Sequence, residues 1–270
     1  MLFDTHCHPY LSEKQSEKEV LESIKNSSFP NLILCVGTKI ETSQKCKETS
    51  KNYDFAFASV GIHPCETLEY VGQEKERINE LEIMLQNDKK IVAIGECGLD
   101  YYRLPPLIES KFEKQKIIDI QKTFFRLQIQ LAHKYNLPLI IHNREAKEDI
   151  LKILQEENFK NFVFHCYTED REYAKKLLDF SPQCMISFSG ILTFKNALGI
   201  QETAKYIPLK NILIETDSPY LSPAPERGTE NHPQKVKFVL DKIKELRNEN
   251  NELIEETIYQ NSLDFFCLSH

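Results

Sequence analysis

Residues 3–10 read FDTHCHPY, an apolar start followed by two histidines, His6 and His8, that stand one residue apart. In a β-strand the side chains of residues i and i+2 point to the same face, so these two imidazoles would lie side by side. Two adjacent imidazoles form half of a metal site. Taken alone, the pair fits two solvated histidines at a frayed N-terminus equally well, so the rest of the chain has to decide between these interpretations.

The same stretch begins a recurring pattern of short apolar runs, each followed by a charged amphipathic segment. The pattern predicts eight strands, at residues 2–8, 31–37, 55–63, 90–97, 138–143, 161–166, 184–190 and 211–217. Between them, segments such as 74–88 and 117–135 have apolar residues at three- and four-residue spacing, which predicts helices. Strands that alternate with helices indicate a parallel sheet, and eight such units in one chain predict an α/β fold, a (β/α)8 TIM barrel.

A doubly wound α/β sheet is the alternative architecture. Such a sheet usually has a glycine-rich phosphate loop after its first strand, and here the sequence HCHP occupies that place. No linker, low-complexity tract or shift in composition divides the chain. We therefore expect a single barrel domain over residues 1–270, with its active site at the carboxyl ends of the strands.

The bulk composition limits the possible partners and location. A net charge of -7 over 270 residues argues against broad, non-specific adhesion to duplex nucleic acid, which needs a wide basic surface. No apolar run approaches the ~18 residues of a membrane span, and no signal peptide is visible, so we expect no membrane partner. The eight cysteines include no CxxC pair. We interpret them as free thiols in a reducing compartment, the cytoplasm.

Polar side chains end most of the predicted strands. They are His6, His8, His63, Glu96, His142, His165 and Asp217. The carboxyl ends of barrel strands meet on one rim, so these histidines would lie close together there. Histidines scattered through a core would not collect at one place. The pattern therefore predicts a functional site on that rim.

The number of potential ligands favours more than one ion. A catalytic zinc takes about three protein ligands, and this rim offers four histidines besides His63, together with two carboxylates. We expect two divalent ions, bridged by Glu96 and by a water molecule, with Asp217 on the first ion and able to accept a proton from that water. Nitrogen and oxygen ligands suit Zn, Mn, Co or Mg.

Strand alternation also predicts roles for the neighbours of these ligands. Cys7, Cys97 and Cys166 each follow a proposed ligand directly, so we expect them to point outward and pack in the helix layer. Asp4 is placed one step deeper than His6 on the same face. Two interpretations of Asp4 stay open, a partner that orients a histidine and a hydrogen-bonded carboxylate near the barrel floor.

Several longer motifs connect these residues to a known family. In order they are DTHCHPYL, VGIHP, IGECGLDYYR, LPLIIHNREA, FHCYT, ISFSGILTFKNA and ILIETDSPYLSPAP. The chain resembles, essentially end to end, the TatD family of metal-dependent deoxyribonucleases, which are amidohydrolase-like TIM barrels. The resemblance implies that Glu96 bridges two ions, with His6, His8 and Asp217 on one ion and His142 and His165 on the other.

The resemblance also implies a 3′-to-5′ exonuclease acting on single-stranded DNA ends, with RNA left open as a substrate and no obligate protein partner. We expect a metal-bridging hydroxide to attack phosphorus while Asp217 takes its proton. A metal, His63 or a nearby cation would assist the leaving 3′-oxygen. Candidate phosphate ligands are Arg103, Arg144 and Arg227, because guanidinium groups match phosphate oxygens in pairs, and solvated surface arginine is the alternative interpretation.

Two departures from the family pattern concern the substrate more than the ligands. The family usually has basic residues after the strand-8 loop, where this chain reads RGTENHP with Thr229 and Glu230. We expect a weaker grip on a second phosphate there. Glu169 stands in HCYTE where the family usually has glycine, and a side chain at that position restricts the loop beside His165.

Two other functions remain as alternatives. A binuclear-metal esterase or amidase acting on an aminoacylated nucleotide or another small substrate would need the same ions, since an activated water attacks a carbonyl carbon as readily as phosphorus. The acidic net charge and the lost basic pair favour that alternative. A metal-binding barrel kept as a scaffold or partner-binding module would need a broken ligand set, and all six ligands are present.

Overall fold

The computed structural model describes residues 1–104 and 113–268, and it has one parallel sheet of eight strands in sequential order. The strands are β1 (Phe3–Cys7), β2 (Leu32–Val36), β3 (Ala56–Val60), β4 (Ile91–Asp100), β5 (Leu139–Arg144), β6 (Phe162–Phe164), β7 (Met185–Phe188) and β8 (Ile212–Ile214). A parallel bridge between Cys7 and Ser218 joins the two ends of the sheet, and the His8 N–H donates to the Ser218 carbonyl at 2.8 Å. The predicted TIM barrel is confirmed, and the doubly wound alternative is wrong.

Helices follow the strands around the outside of the barrel. Within the described residues they are α1 (Glu17–Lys25), α2 (Ile40–Asn52), α3 (Glu74–Leu85), α4 (Lys114–Tyr135), α5 (Lys147–Glu156), α6 (Arg171–Phe180), α7 (Leu198–Tyr206), α8 (Val236–Leu246) and α9 (Asn251–Phe265). Helix α3 ends three residues earlier than its apolar spacing predicts, and α4 begins three residues earlier. None of the helices in these two ranges of residues is long and apolar enough to cross a membrane.

The strands are buried on both faces, as expected for a parallel sheet covered by helices. Along β2 the side chains alternate, so that Ile33 and Cys35 belong to the apolar layer between strands and helices. Leu34 and Val36 instead belong to a second cluster, which fills the barrel interior. This second cluster includes Phe266, whose ring centroid is 5.8 Å from that of Phe3 at the start of β1. The N-terminal end of the barrel is therefore an apolar core.

Several strands end earlier than the sequence pattern predicts. Strand β3 stops at Val60, β6 at Phe164 and β8 at Ile214, so His63, His165 and Asp217 lie in the loops that follow these strands. Strand β4 instead continues to Asp100, because Gly98 to Asp100 pair in register with His142 to Arg144 of β5. The polar residues nevertheless remain at the carboxyl end of the barrel.

Gly98 lets β4 and β5 approach each other where the site begins. Its φ is +131°, a conformation that favours glycine, and a Cβ atom there would collide with the carbonyl oxygen of His142. We predict that Gly98→Ala lowers the free energy of unfolding by about 3 kcal/mol or more, because positive φ and overpacking each cost about 1–3 kcal/mol. Chemical denaturation followed by circular dichroism measures this difference.

Gly199 in α7 provides the matched control, because a Cβ atom there meets no atom within 4 Å. Alanine favours a helix over glycine by up to about 1 kcal/mol, so Gly199→Ala should leave stability unchanged or raise it slightly. Equal stability of the Gly98→Ala and wild-type proteins would contradict the proposed close approach of the two strands.

Candidate metal centre

A cavity of about 640 Å³ opens at the carboxyl ends of the strands. Its floor brings together polar side chains that are far apart in the sequence. Those that line it include His8, His63, Glu96, Arg103, His142, Arg144, His165 and Asp217. His6 lies beneath them, fully buried, with its ring stacked on that of His165 at a centroid distance of 4.0 Å. The polar residues that the sequence predicts at the strand ends therefore lie together at this cavity.

Four of these residues form a first group of potential ligands. The Nε2 atoms of His6 and His8 are 3.1 Å apart. Oε2 of Glu96 lies 3.5 Å from the former and 3.8 Å from the latter. Oδ1 of Asp217 lies 3.8 Å from His6 Nε2 and 3.6 Å from His8 Nε2. Two nitrogen and two oxygen atoms thus face one another across a space the size of an ion.

A second group uses the other oxygen of the same glutamate. Glu96 Oε1 lies 3.0 Å from His142 Nδ1 and 2.9 Å from His165 Nε2, and these two nitrogens are 3.4 Å apart. Each oxygen of Glu96 therefore faces one group of imidazoles. This is the arrangement that a bridging carboxylate requires.

The hydrogen bonds outside the two groups determine which ring nitrogens are free. A carbonyl oxygen only accepts, so His8 Nδ1 donates to the Val36 carbonyl at 2.8 Å and keeps its lone pair on Nε2. His165 Nδ1 lies 3.2 Å from Glu215 Oε1, which leaves Nε2 free in the same way. Partners of this kind fix the tautomers of metal-binding histidines. Imidazole nitrogens and carboxylate oxygens converging on one point fit a divalent cation.

The charges of the site favour a cation as well. Burial alone would raise the pKa of Glu96, but the nearby histidines, led by His165, outweigh it and hold that pKa well below its usual value. Burial also acts to raise the pKa of Asp217, and the hydrogen bond from His8 leads the contacts that lower it. Both carboxylates are therefore ionised at neutral pH, the form that binds a cation.

His63 has a different relation to the site. It lies close enough to Glu96 and His142 to be grouped with them as a potential ligand. However, its Nδ1 accepts a hydrogen bond from the Cys65 N–H at 3.0 Å, so a neutral ring carries its proton on Nε2. Burial leads the effects that lower the pKa of His63, which keeps the ring neutral. His63 therefore presents an N–H donor 3.3 Å from Glu96 Oε1.

Asp4 positions the loop that presents Asp217. Its carboxylate accepts hydrogen bonds from the N–H and Oγ1 of Thr216, at 2.8 and 2.6 Å. Asp217 follows with a positive φ of 56°, and its N–H donates to the His6 carbonyl at 2.9 Å. Of the two interpretations left open for Asp4, the structure supports the hydrogen-bonded buried carboxylate, since its strongest contacts are to the loop and not to an imidazole ring.

The three candidate phosphate ligands occupy different places. Arg103 and Arg144 line the cavity, and the Arg144 guanidinium lies over the Tyr102 ring, 3.8 Å from its centroid. Arg227 is exposed and lies over the Phe194 ring, 4.0 Å from its centroid. Unlike the other two, it is not among the residues lining the cavity.

The prediction for the three cysteines is correct for two of them. Cys7 and Cys97 are fully buried in the apolar layer between strands and helices. Cys166 instead lines the cavity, with its Sγ 3.1 Å from Ser189 Oγ. The reason is that β6 ends at Phe164, and Cys166 has a positive φ of 42°, so strand alternation no longer applies to it.

Sequence reasoning missed several residues of the site. Asp100 and Glu215 contact the outer nitrogens of ligand histidines, and Asn143 and Tyr220 line the cavity. Glu215 stands two residues before Asp217 in IETD, and Tyr220 stands in DSPYL. Their positions next to strand 8 could have indicated that they belong to the site. No periodicity distinguishes Asp100, because its role depends on which ring nitrogen it faces.

The departures from the family pattern are held in local networks. Glu169 accepts from Asn143 Nδ2 at 3.1 Å and pairs with Lys147 Nζ at 2.9 Å, so it contacts a residue that lines the cavity. Lys235 Nζ donates to Thr229 Oγ1 and to the Glu230 carbonyl, both at 2.8 Å. These hydrogen bonds join the loop after β8 to Lys235.

Comparison with known proteins identifies relatives along the whole chain. A family model described as "TatD related DNase" matches residues 3–267. The chain is 38% identical over 272 aligned positions to the metal-dependent hydrolase YabD of Bacillus subtilis (strain 168), with 100% of both chains covered. It is 37% identical over 245 positions to the metal-dependent hydrolase YcfH of Escherichia coli (strain K12), covering 89% of this chain and 86% of the relative.

Solved structures agree on the fold. The TatD homologue YjjV from Escherichia coli K12 superimposes with a TM-score of 0.84 at 23% identity, covering 99% of this chain and 98% of the other. A TatD family hydrolase from Entamoeba histolytica gives a TM-score of 0.81 at 20% identity, with the same coverage. At these identities the superpositions support a shared barrel.

The ligand groups predict that divalent cations stabilise the folded protein. A cation that binds only the folded state stabilises it by about 2.7 kcal/mol at a hundred times its dissociation constant. We expect Mn²⁺ or Zn²⁺, added to chelator-stripped protein, to raise the midpoint of thermal unfolding. His142→Ala should reduce this gain, and His133→Ala, which changes a histidine of α4 outside both groups, should preserve it. Identical gains in both variants would contradict the proposed ligand set.

Proposed function

Since the chain belongs to the TatD family of metal-dependent hydrolases, we propose that it is an exodeoxyribonuclease that removes nucleotides from the 3′ ends of single-stranded DNA. The observation that carries this proposal is a pair of arginines, Arg103 and Arg144, that line the cavity beside the ligand groups. A phosphodiester brings a negative charge into that cavity, and guanidinium groups bind it through paired hydrogen bonds.

The arginines of the chain fall into two sets. Arg77, Arg126, Arg171 and Arg247 form ion pairs with carboxylates. Within residues 1–104 and 113–268, Arg103, Arg144 and Arg227 have no such pair, and these are the three that the sequence suggests for phosphate binding. An arginine that no carboxylate neutralises keeps its charge available for an anion. Two of the three line the cavity, so the proposal assigns the nearest phosphate to Arg103 and Arg144.

We assign two divalent ions to the site, one to each group of ligands, with Glu96 between them. The nitrogen and oxygen donors accept Mg, Mn, Zn or Co. When bound, such ions lower the pKa of water to about 7 and neutralise charge on phosphoryl oxygens. His6, His8 and Asp217 would hold one ion, and His142 and His165 the other.

The side chains themselves supply the proton transfers. Asp217 is ionised and lines the cavity, so it can accept the proton that the attacking water loses. His63 lines the same cavity with a protonated Nε2, which suits a hydrogen bond to an oxygen of the phosphate or to the leaving 3′-oxygen. We assign the role of acceptor to Asp217 and that of donor to His63.

The chemistry around the cavity supports a single-stranded substrate. Tyr220 lines the cavity and is 54% exposed, so its ring is available to stack on an unpaired base, a contact worth about 1–3 kcal/mol. The net charge of -7 provides no wide basic surface for a duplex. Binding is therefore assigned to local contacts with one strand end. The free thiols of all eight cysteines are consistent with our proposal that the enzyme acts in the cytoplasm, and we propose no obligate protein partner.

Cleavage of a single-stranded oligonucleotide labelled at its 5′ end tests the proposal. We expect chelator-stripped protein to be inactive, and Mg, Mn, Zn or Co, restored in turn, to produce a ladder that shortens from the 3′ end. Asp217→Asn should remove the activity while the protein remains folded, and it controls for a contaminating nuclease. The most active ion identifies the cofactor.

A protein that binds two ions and cleaves no oligonucleotide with any of them would refute the nuclease proposal. Ester and amide substrates, including aminoacylated nucleotides, would then be tested, because an activated water also attacks a carbonyl carbon. Absence of metal binding would instead refute the assignment of the ion ligands.

The arginine assignment gives a separate prediction. A hydrogen bond to a charged group contributes about 1.5–3 kcal/mol, so Arg103→Ala and Arg144→Ala should each lower kcat/KM by roughly 10- to 150-fold. Arg171→Ala, which removes an exposed arginine paired with Glu172, should leave kcat/KM unchanged. Steady-state kinetics on the labelled oligonucleotide measure these ratios, and equal losses in all three variants would contradict the assignment.

A further inference from the structure

We propose that Asp100, the last residue of β4, is a positioning residue with two roles. It orients a ligand of the second ion, and it positions the arginines that we assign to the substrate phosphate. Its carboxylate is completely buried. Oδ2 lies 3.0 Å from Nε2 of His142, while Oδ1 accepts hydrogen bonds from the N–H groups of Tyr102 and Arg103 at 3.0 and 2.7 Å. The link to substrate rests on the proposed function, and the link to the ion rests on the ligand geometry alone.

The backbone of Asp100 is fixed from the helix layer. The Asp100 N–H donates to Oε1 of Gln121 at 3.0 Å, and Nε2 of Gln121 donates back to the Asp100 carbonyl at 3.1 Å. Gln121 is buried in α4, and on the other side Asp100 pairs in register with Arg144 of β5. Both neighbours are regular elements, so the carboxylate is held in one place.

From this place Asp100 selects the tautomer of His142. A carboxylate only accepts, so Nε2 of a neutral His142 carries the proton and Nδ1 keeps its lone pair. That lone pair faces Glu96 Oε1 at 3.0 Å and His165 Nε2 at 3.4 Å. Within residues 1–104 and 113–268, Asp100 is the group that hydrogen-bonds this nitrogen and favours this tautomer over the one that has no free nitrogen toward the ion. Asp100 therefore prepares the second ion group.

The other carboxylate oxygen shapes the start of the loop after β4. Two successive N–H groups, from Tyr102 and Arg103, turn inward to Oδ1. Arg103 then lines the cavity, and the Tyr102 ring lies beneath the guanidinium of Arg144. One buried carboxylate thus orients an ion ligand, positions Arg103 directly, and positions Arg144 through Tyr102. Glu215, the partner of His165, hydrogen-bonds that ring and the adjacent Cys166 N–H, and neither contact leads to an arginine of the cavity.

Two substitutions separate these two effects. In Asp100→Asn the amide oxygen can still accept from the two N–H groups, so its NH₂ faces His142 Nε2. Since an NH₂ donates, it would move the ring proton to Nδ1 and remove the lone pair from the ion group. Asp100→Ala removes both contacts. Asp149→Asn is the matched control, because Asp149 accepts from Tyr101 of the same loop at 2.7 Å, and its contacts in the described part of the chain include no ligand histidine.

Titration calorimetry of Mn²⁺ into the chelator-stripped full chain measures the two ion affinities. We expect Asp100→Asn to weaken the second ion by roughly 10- to 100-fold, the usual effect of losing an outer partner of a metal-bound histidine, with the first ion unchanged. Asp100→Ala should weaken the second ion similarly, and Asp149→Asn should match the wild type. Retention of both affinities in Asp100→Asn would overturn the proposal.

Two spectroscopic readouts apply to the metal-free protein and need no substrate. Long-range ¹H–¹⁵N spectra should show His142 protonated at Nε2 in the wild type and at Nδ1 in Asp100→Asn. Amide hydrogen exchange at Tyr102 and Arg103 should stay slow in Asp100→Asn and become fast in Asp100→Ala. An unchanged tautomer, or equal protection in both variants, would overturn the corresponding half of the proposal. These readouts also remain valid if the wild type cleaves no DNA, so failure of the nuclease proposal is recognised separately.

Discussion

The Glu96 carboxylate is only 4% exposed and remains ionised, and the carboxyl end of the barrel is arranged around this buried charge. Burying an unpaired charge at such a depth costs several kcal/mol of folding free energy. The side chains that pair with Glu96 must therefore be held in place as firmly as the carboxylate itself. One oxygen faces His6 and His8, and the other faces His142 and His165. Every ring in these groups has to present a particular nitrogen, since a proton on that nitrogen would exclude a cation.

This requirement explains the outer layer of polar groups. His8 is held by a backbone carbonyl, His165 by Glu215 and His142 by Asp100. Two of these partners are carboxylates, so the layer adds further buried negative charge near the cluster. A pair of divalent cations would balance that charge, whereas protons would occupy the nitrogens that the outer partners keep free. The same hydrogen bonds that orient the folded rings thus keep one nitrogen of each ring directed at the site and make it a stronger electron-pair donor.

The sequence predicted the barrel and the residues that meet on its rim, because carboxyl ends of parallel strands share one edge. His6, Glu96 and His142 could be placed by strand position alone. Their outer partners could not, since the role of Asp100 depends on which edge of the His142 ring it faces, and this follows from the register of β4 against β5. The inward position of Cys166 escaped prediction for a similar reason, because a residue with positive φ after a short strand does not follow strand alternation.

The two ends of the barrel have different roles, since apolar packing lies at the N-terminal ends of the strands and the polar site lies at their carboxyl ends. Phe3 begins β1 among apolar side chains that include Phe266, and three residues later His6 enters the ligand cluster. Hydrophobic burial at the lower end does not depend on an ion. The interactions among the carboxylates and imidazoles above it do change when these groups bind a proton or a cation. Ion binding is therefore linked to the free energy of folding only through the upper layer. The apolar lower end supplies burial that needs no ion, while the upper layer holds Glu96 and Asp217 ionised, the form in which both can bind a cation.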